Sequence, residues 1–300
     1  MSEIKLYTTT DKVMELMPSS VGFEKELQIL VEKNMDVFFG VTFLKSEFVI
    51  DGGRMDSLGL DENNSPIIFE YKRSINENVI NQGLFYLDWL MGHKKDYEWV
   101  VMEALGKEIA KRIDWSAPTV VCIASDFTKY DIYAVNQISR NIKLVKYIRY
   151  GKDLVLFEQV NSAKTGSPSS IGVNSVNNTS STTHYTTQEE LLPKIPGKIR
   201  ELFKEICAFI EFTDEELDVV QLKYYKAYKK IQNVICIEAH KEKINLYLKL
   251  DPVKEKLEKG FSRDVSKIGH YGTGNLEISI SDEAQFEKAK PIIERAIREA

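Results

Sequence analysis

A stretch rich in serine, threonine and asparagine divides this chain, and it constrains the fold more than any other feature. Between Asn161 and Thr187, 17 of 27 residues are of these three types, and Lys164 is the only strongly charged side chain. Such a segment buries too little apolar surface to offset the entropy lost on ordering it. We therefore predict a flexible linker over residues 161–187, between a first domain at residues 1–160 and a second at residues 188–300.

Helical and strand patterns alternate along the first domain, which predicts an α/β fold with helices around a mixed sheet. The predicted helices are Phe23–Asn34, a helix that carries Gln82, Tyr97–Arg112 and Tyr130–Arg140. The predicted strands are two segments that carry Asp56 and Glu70, followed by Thr119–Ala124, Ile142–Arg149 and Leu154–Gln159.

The second domain follows a smaller α+β pattern. Its predicted helices are Gly197–Ile210, Asp214–Lys230, Pro252–Glu258 and Glu283–Glu299. Its predicted strands are Val234–Glu238, Lys243–Leu250 and Leu276–Ser281. The first two of these strands, in CIEAHKEKINLYLKL, resemble a hairpin.

The segment from Gly52 to Arg73, GGRMDSLGLDENNSPIIFEYKR, carries the residues that bear on chemistry. Turn-forming residues separate Asp56 from the apolar strand that contains Glu70 and Lys72, so a hairpin would bring the two acids together. Residues two apart on a strand share a face, and Glu70 and Lys72 therefore project together. Two carboxylates can hold a hard divalent cation, and a neighbouring lysine can stabilise charge on a phosphoryl oxygen. The alternative is an ordinary solvated strand face.

These residues resemble the core motif of the PD-(D/E)XK nuclease superfamily, and the segment is similar to its RecB-like branch. The signature proline before the aspartate is Met55 here. The resemblance implies a restriction-endonuclease-like fold, with Asp56 and Glu70 as metal ligands and Lys72 as the catalytic cation. Gln82 and Tyr86, four apart on a predicted helix, resemble the Gln-x-x-x-Tyr element of the branch, in which the glutamine lies near the active site and holds the nucleic-acid backbone.

A glutamate of the first helix often completes the metal site in this family. Glu24 is the preferred residue by its spacing ahead of Leu27, and Glu26 is the alternative. Both could instead lie on an exposed helix face. The expected cofactor is Mg²⁺ or Mn²⁺, and the expected activity is hydrolysis of phosphodiester bonds in nucleic acid, DNA by resemblance. A catalytically silent nuclease fold that binds nucleic acid or protein is the second hypothesis.

Composition is compatible with this activity. The net charge is −5 and the pI about 5.6. Nucleic-acid binding depends on a local basic surface and is not excluded by overall acidity. No apolar run approaches the roughly 20 residues of a membrane span, so no membrane partner is expected. The cysteines are read as buried reduced thiols in a cytoplasmic protein, and the histidines form no zinc-binding pattern. A homo-oligomer stays open.

The second domain is similar to a C-terminal family of unknown role that is sometimes labelled a predicted transport protein. Two of its segments invite a functional interpretation. Lys223–Lys230 alternates lysines with tyrosines and is predicted to be an amphipathic helix, with contact to a phosphate backbone as the alternative. Arg263–Asn275 contains three glycines and is predicted to be a structural loop. If that loop binds a ligand, Arg263, His270 and Tyr271 are the expected contacts.

Overall fold

The chain divides into two compact units, residues 1–163 and 164–300. The structure is a computed structural model, and it describes residues 4–9, 12–19, 24–72, 78–151, 153–161, 188 and 192–300. Residues 162–187 of the predicted linker and Arg73 lie outside the described residues. In the described ranges no helix is both long and apolar enough to cross a membrane.

A mixed sheet forms the centre of the first unit. Within the described residues it has seven strands in the order β3-β8-β7-β6-β5-β4, with β9 paired to β8. The strands are β3 (Pro18–Ser19), β4 (Val41–Ile50), β5 (Gly53–Asp61), β6 (Pro66–Tyr71), β7 (Thr119–Ala124), β8 (Asn141–Tyr150) and β9 (Leu154–Gln159), and a separate short hairpin pairs β1 (Leu6–Thr8) with β2 (Met14–Leu16). Strands β6, β7 and β8 are parallel, and β4, β5 and β6 are antiparallel. The predicted α/β class with a mixed sheet is confirmed.

Helices cover both faces of this sheet. They are α1 (Glu24–Lys33), α2 (Met35–Phe39), α3 (Asn78–Gly92), α4 (Lys94–Leu105), α5 (Lys107–Ala110) and α6 (Lys129–Gln137). On strand β6, Phe69 packs against Phe39 of α2, while its neighbour Ile68 belongs to the core that includes α3. Because successive strand residues point to opposite faces, α2 and α3 lie on opposite sides of the sheet.

The prediction of one continuous helix over Tyr97–Arg112 is wrong. It is two helices, α4 and α5, separated at Gly106, where φ is +91°. That backbone conformation is outside the helical range and is one that glycine adopts without steric cost.

The predicted hairpin before Glu70 is confirmed, because β5 and β6 pair across a turn. There the Asp61 carboxylate accepts hydrogen bonds from the N–H groups of Asn63 and Ser65, each over 2.8 Å.

The second unit is built on an antiparallel sheet. In the part of the chain that is described, this sheet has six strands in the order β10-β11-β12-β13-β15-β14. The strands are β10 (Asp218–Gln221), β11 (Lys226–Lys229), β12 (Asn233–Ala239), β13 (Ile244–Leu248), β14 (Ser262–Asp264) and β15 (Leu276–Ile280), and the helices are α7 (Gly197–Thr213) and α8 (Glu283–Arg298). One apolar core joins the two helices to the sheet. The unit is therefore α+β, as predicted.

Two helices predicted for this unit are wrong. Asp214–Lys230 contains β10 and β11 instead of a helix. Along β11, Ala227 is buried in a cluster on one face of the sheet and Tyr228 in the core on the other, so successive side chains alternate between faces as in a strand. Pro252–Glu258 forms only one 3₁₀ turn, Pro252–Lys254, because Val253 is 88% exposed and offers no buried stripe for a longer helix.

Candidate metal centre

Strands β5 and β6 separate at Asp56, although each continues further. Their main-chain pairing stops at Ser57 opposite Phe69. Side chains then bind the main-chain donors: the Asp56 N–H donates to Glu70 Oε1 over 3.2 Å, and the Tyr71 N–H donates to Asp56 Oδ2 over 3.0 Å. The two carboxylates therefore lie together where the strands diverge.

Glu70 is an unusual carboxylate because its residue is 0% exposed. Within the described residues its Oε2 atom is buried and has no hydrogen-bond partner. Burial raises the pKa of Glu70 to about 8, and repulsion from Asp56 adds to this, against the opposing effects of the Asp56 N–H and Lys72. Burial likewise raises the pKa of Asp56, against the Tyr71 N–H and Lys72. Glu70 therefore does not lie on a solvated strand face, and the pair resists carrying two negative charges.

Lys72 follows strand β6 and keeps that end of the chain attached to the sheet. Its N–H donates to the carbonyl oxygen of Ile123 on β7 over 2.9 Å, so β6 remains paired with β7 after leaving β5. The side chain is half-buried, and its positive charge opposes the rise of the pKa of both carboxyls. Asp56, Glu70 and Lys72 thus form one electrostatically coupled group.

Helix α1 reaches this group through Gln28. The Gln28 amide, which is buried, donates to the Asp56 carbonyl oxygen over 2.9 Å. Glu24 lies one turn earlier on the same helix face, and its negative charge makes a smaller contribution to the raised pKa of Asp56 than burial does. Glu26 lies elsewhere, on a groove that it lines with Lys33 and Arg149.

The described residues contain no group of three His, Cys, Asp or Glu side chains that could hold a metal ion together. Asp56 and Glu70 meet each other directly. The negative charge of Glu24 contributes to the raised pKa of Asp56. Mg²⁺ usually retains several waters and needs only one or two carboxylates together with substrate phosphate. The unbonded Oε2 of Glu70 beside the Asp56 carboxylate is a donor set that suits such an ion.

The Gln-x-x-x-Tyr element positions strand β5. Gln82 donates to the Tyr86 hydroxyl over 2.9 Å, and that hydroxyl donates to the Arg54 carbonyl oxygen over 2.8 Å. The Arg54 N–H in turn donates to the same hydroxyl over 3.2 Å. Gly53 is required beside it, since a Cβ there would lie 2.8 Å from the Tyr86 ring. Gln82 therefore acts on the backbone two residues before Asp56, without touching either carboxylate in the described contacts.

Glu47 on β4 is a residue of this region that the sequence analysis missed. Its φ of +54° is rare for a residue with a side chain. Its carboxylate forms ion pairs with Lys25 over 2.8 Å and with Arg54 over 2.6 Å, and its charge is among the causes, after burial, of the raised pKa of Asp56. The Asp-Gly pair at position 51 was the available signal, because a hairpin turn there places Glu47 across from Asp56.

The three cysteines are buried free thiols, as expected. Cys122 lies directly beside the site, in register with Glu70 on the neighbouring parallel strand. Burial raises the pKa of its thiol, and the charge of Glu70 raises it further. Cys122 is therefore a neutral packing residue that contributes to the low polarity around Glu70.

The first unit is thus an α/β domain with a buried carboxylate pair at the point where two strands of a mixed sheet diverge. No family model matches the chain. An uncharacterized protein of Haemophilus influenzae is 27% identical over 308 residues, which is 99% of this chain and 100% of that protein.

Solved structures offer only distant similarity. A complex of EndoMS with dsDNA gives a TM-score of 0.27 at 19% identity over 43% of this chain and 46% of that chain. A repair endonuclease from Pyrococcus abyssi gives a TM-score of 0.29 at 14% identity over 47% of this chain and 61% of that chain. The chain therefore spans about half to three fifths of these proteins.

Proposed function

We propose that the first unit is a metal-dependent nuclease that hydrolyses phosphodiester bonds in nucleic acid, with Mg²⁺ or Mn²⁺ held by Asp56 and Glu70. The observation that carries this proposal is the Glu70 carboxylate, which is fully buried, has an unbonded oxygen and lies against a second acid. A carboxylate in this position destabilises the fold unless it is neutralised or bound to a cation. The resemblance to PD-(D/E)XK nucleases supports the same assignment.

Each residue of the group has a distinct role in this proposal. The bound cation would neutralise phosphoryl charge and make water nucleophilic near neutral pH. Lys72 places a positive charge beside the carboxylate pair, where it stabilises the negative charge that develops on the phosphoryl group. Glu24, whose negative charge raises the pKa of Asp56, is the further acid that would assist at the cation, and Gln82 keeps strand β5 in place through Tyr86.

DNA is the preferred substrate by the family resemblance alone. Two further cations, Lys25 and Arg54, are both more than half exposed on their side chains and form ion pairs with Glu47, which lies across from Asp56. Cations at the rim of a carboxylate site are suited to the phosphates that flank a scissile bond. This local arrangement provides a basic contact in a chain whose net charge is −5.

The test is a cleavage assay on labelled single-stranded and double-stranded DNA in Mg²⁺, in Mn²⁺ and in EDTA. Wild type is expected to cut only with metal, and Asp56→Asn, Glu70→Gln and Lys72→Ala are expected to lose roughly 10²-fold or more in rate. Glu158→Gln is the matched control, since Glu158 is an exposed acid on β9 of the same sheet. Equal rates in wild type and all three variants would refute the proposal.

A silent nuclease fold that only binds nucleic acid or protein is the second candidate. One observation favours it: among the described residues no third acid or histidine joins Asp56 and Glu70. Binding and cleavage separate the two candidates. A silent fold retains DNA with Ca²⁺ present and leaves it intact with Mg²⁺ or Mn²⁺, whereas an active nuclease retains it with Ca²⁺ and cuts it with the other two ions.

A further inference from the structure

The second unit carries two exposed tyrosines stacked on each other. Tyr224 lies in the turn between β10 and β11, and Tyr271 lies in the loop before β15. Their ring centroids are 4.3 Å apart at an interplanar angle of 23°, and the residues are 41% and 51% exposed. The two segments that the sequence analysis singled out in this domain therefore meet at one surface.

Both rings stand on backbone that is held in place. Next to Tyr271, Gly272 has a φ of +79°, and a Cβ there would lie 2.6 Å from the Cβ of Cys236. Gly274 has a φ of +137°, and a Cβ there would lie 2.6 Å from the carbonyl carbon of Tyr247. The loop consequently lies directly on the sheet, where only glycine fits at these two positions.

Tyr224 is supported in the same way. Its carbonyl oxygen accepts a hydrogen bond from the Gln188 amide over 2.9 Å, and the Gln188 N–H donates to the Leu222 carbonyl oxygen over 2.8 Å. The Leu222 N–H donates to the Tyr225 carbonyl oxygen over 3.0 Å, which closes the turn. Exposed aromatic side chains on a fixed backbone bind a partner with little loss of conformational entropy.

Two exposed lysines accompany the stacked tyrosines, one beside Tyr224 and one in the loop of Tyr271. The Lys223 ammonium lies 5.0 Å from the centroid of the Tyr224 ring. Lys267 is exposed in the same loop as Tyr271. Lys267 lies three residues after Asp264, and its charge is a minor cause of the lowered pKa of that acid, after the hydrogen bonds from Ser266. Both lysines are exposed, so an anionic partner can reach them. Asp264 itself is exposed at the end of β14.

We propose that Tyr224 and Tyr271, with Lys223 and Lys267, form a platform that binds single-stranded nucleic acid by stacking an unpaired base on the tyrosines. Every base has a π-face that can stack on such rings, and the lysines attract the adjoining phosphates. The rings are flat and the Lys223 ammonium lies against one of them, which complements a nucleotide better than it complements an apolar peptide. The inference extends the proposed function, because it gives the second unit a role in holding the same class of substrate.

The experiment measures binding of the full chain to a fluorescent single-stranded DNA of about 15 nucleotides in EDTA, by anisotropy. Tyr224→Ala and Tyr271→Ala are each expected to weaken binding by about 5- to 100-fold, whereas Tyr224→Phe and Tyr271→Phe retain it because they keep the ring. Phe212→Ala is the matched control: Phe212 is 83% exposed on helix α7 of the same unit, and its loss should have no effect.

A second measurement does not depend on the ring variants. Lys223→Gln and Lys267→Gln should each reduce the slope of log affinity against log salt by about 0.7, because each removes one phosphate contact with a single strand. Unchanged affinity in the folded double variant Tyr224→Ala/Tyr271→Ala would overturn the proposal. An equal loss of affinity in Phe212→Ala would also overturn it. So would a proline-rich peptide that competes with DNA for wild type but displaces no DNA from the alanine variants.

The assay also separates this inference from the proposed nuclease activity. EDTA prevents metal-dependent cleavage, so the measured quantity is binding alone. If wild type fails to cut DNA but the tyrosine variants still weaken binding, the nuclease proposal fails and the platform stands. If wild type cuts and the tyrosine variants bind single strands as tightly as wild type does, the platform fails and the nuclease proposal stands.

Discussion

Replacing Glu70 by glutamine should change the pH dependence of stability in a predictable direction. The folded protein holds the Glu70 proton up to about pH 8, whereas the ordinary pKa of the group is 4.5. A carboxyl whose pKa is raised by folding loses stability as pH rises from the unfolded pKa through the folded one. The glutamine side chain of the Glu70→Gln variant cannot ionise, and its amide has nearly the shape of the protonated acid. The variant therefore should not lose this stability as pH rises.

The magnitude follows from the same pKa values. Between about pH 6 and pH 8, wild type should lose about 2 kcal/mol of unfolding free energy relative to Glu70→Gln, since one pKa unit corresponds to about 1.4 kcal/mol. Asp56 is coupled to Glu70, so this difference belongs to the carboxylate pair. Mn²⁺ at about pH 8 should restore stability to wild type, because it binds the ionised pair, and should leave the variant almost unchanged.

Tryptophan fluorescence during urea unfolding is the appropriate assay. The chain has three tryptophans, Trp89, Trp99 and Trp115, and all lie in the first unit, so the signal reports that unit and not the second. Glu158→Gln serves again as control, because it removes an exposed acid from the same sheet. Parallel pH profiles for wild type and Glu70→Gln would show that Glu70 is not a buried proton-holding acid and would remove the basis of the metal site.

Three further outcomes are expected around the site. Lys72→Ala should lower the cleavage rate by roughly 10²-fold while leaving Mn²⁺ affinity, measured by calorimetry, unchanged or higher; a weaker Mn²⁺ affinity would instead make the lysine structural. Tyr86→Phe should cost about 1–3 kcal/mol in urea unfolding, because it removes the hydroxyl that bonds the Arg54 backbone, and a neutral result would contradict the proposed anchoring of β5. Glu47→Gln should release Lys25 and Arg54 from their ion pairs, tighten DNA binding and steepen its salt dependence; an unchanged salt slope would show that these cations do not meet phosphate.

Much of the first unit could be predicted from the sequence because the signals are local. The strand Thr119–Ala124 has the predicted bounds, and the hairpin through Asp61 brings Asp56 against Glu70 as expected. In each case neighbouring residues carry the signal. An apolar run predicts the strand, and a short polar side chain that hydrogen-bonds to nearby backbone predicts the turn.

Prediction from the sequence failed where a segment was locally compatible with both a helix and a strand. The lysines and tyrosines of Lys223–Lys230 fit an amphipathic helix, and yet the segment contains strand β11. One face of this strand packs against the core that includes helices α7 and α8, and the other lies on the side of the loop that carries Gly272 and Gly274. Neither surface is adjacent in sequence. The stacked pair of Tyr224 and Tyr271 has the same origin, since its members are 47 residues apart in the chain.

The sequence alone determined which residues are available for chemistry: an acid, then a turn, then an acid and a lysine on an apolar strand. Tertiary structure decided what those residues experience. The burial that raises the pKa of Glu70 and the Gln28 hydrogen bond to Asp56 both come from elements distant in the chain. Local propensity depends on neighbouring residues, whereas desolvation and charge coupling depend on everything packed around a group.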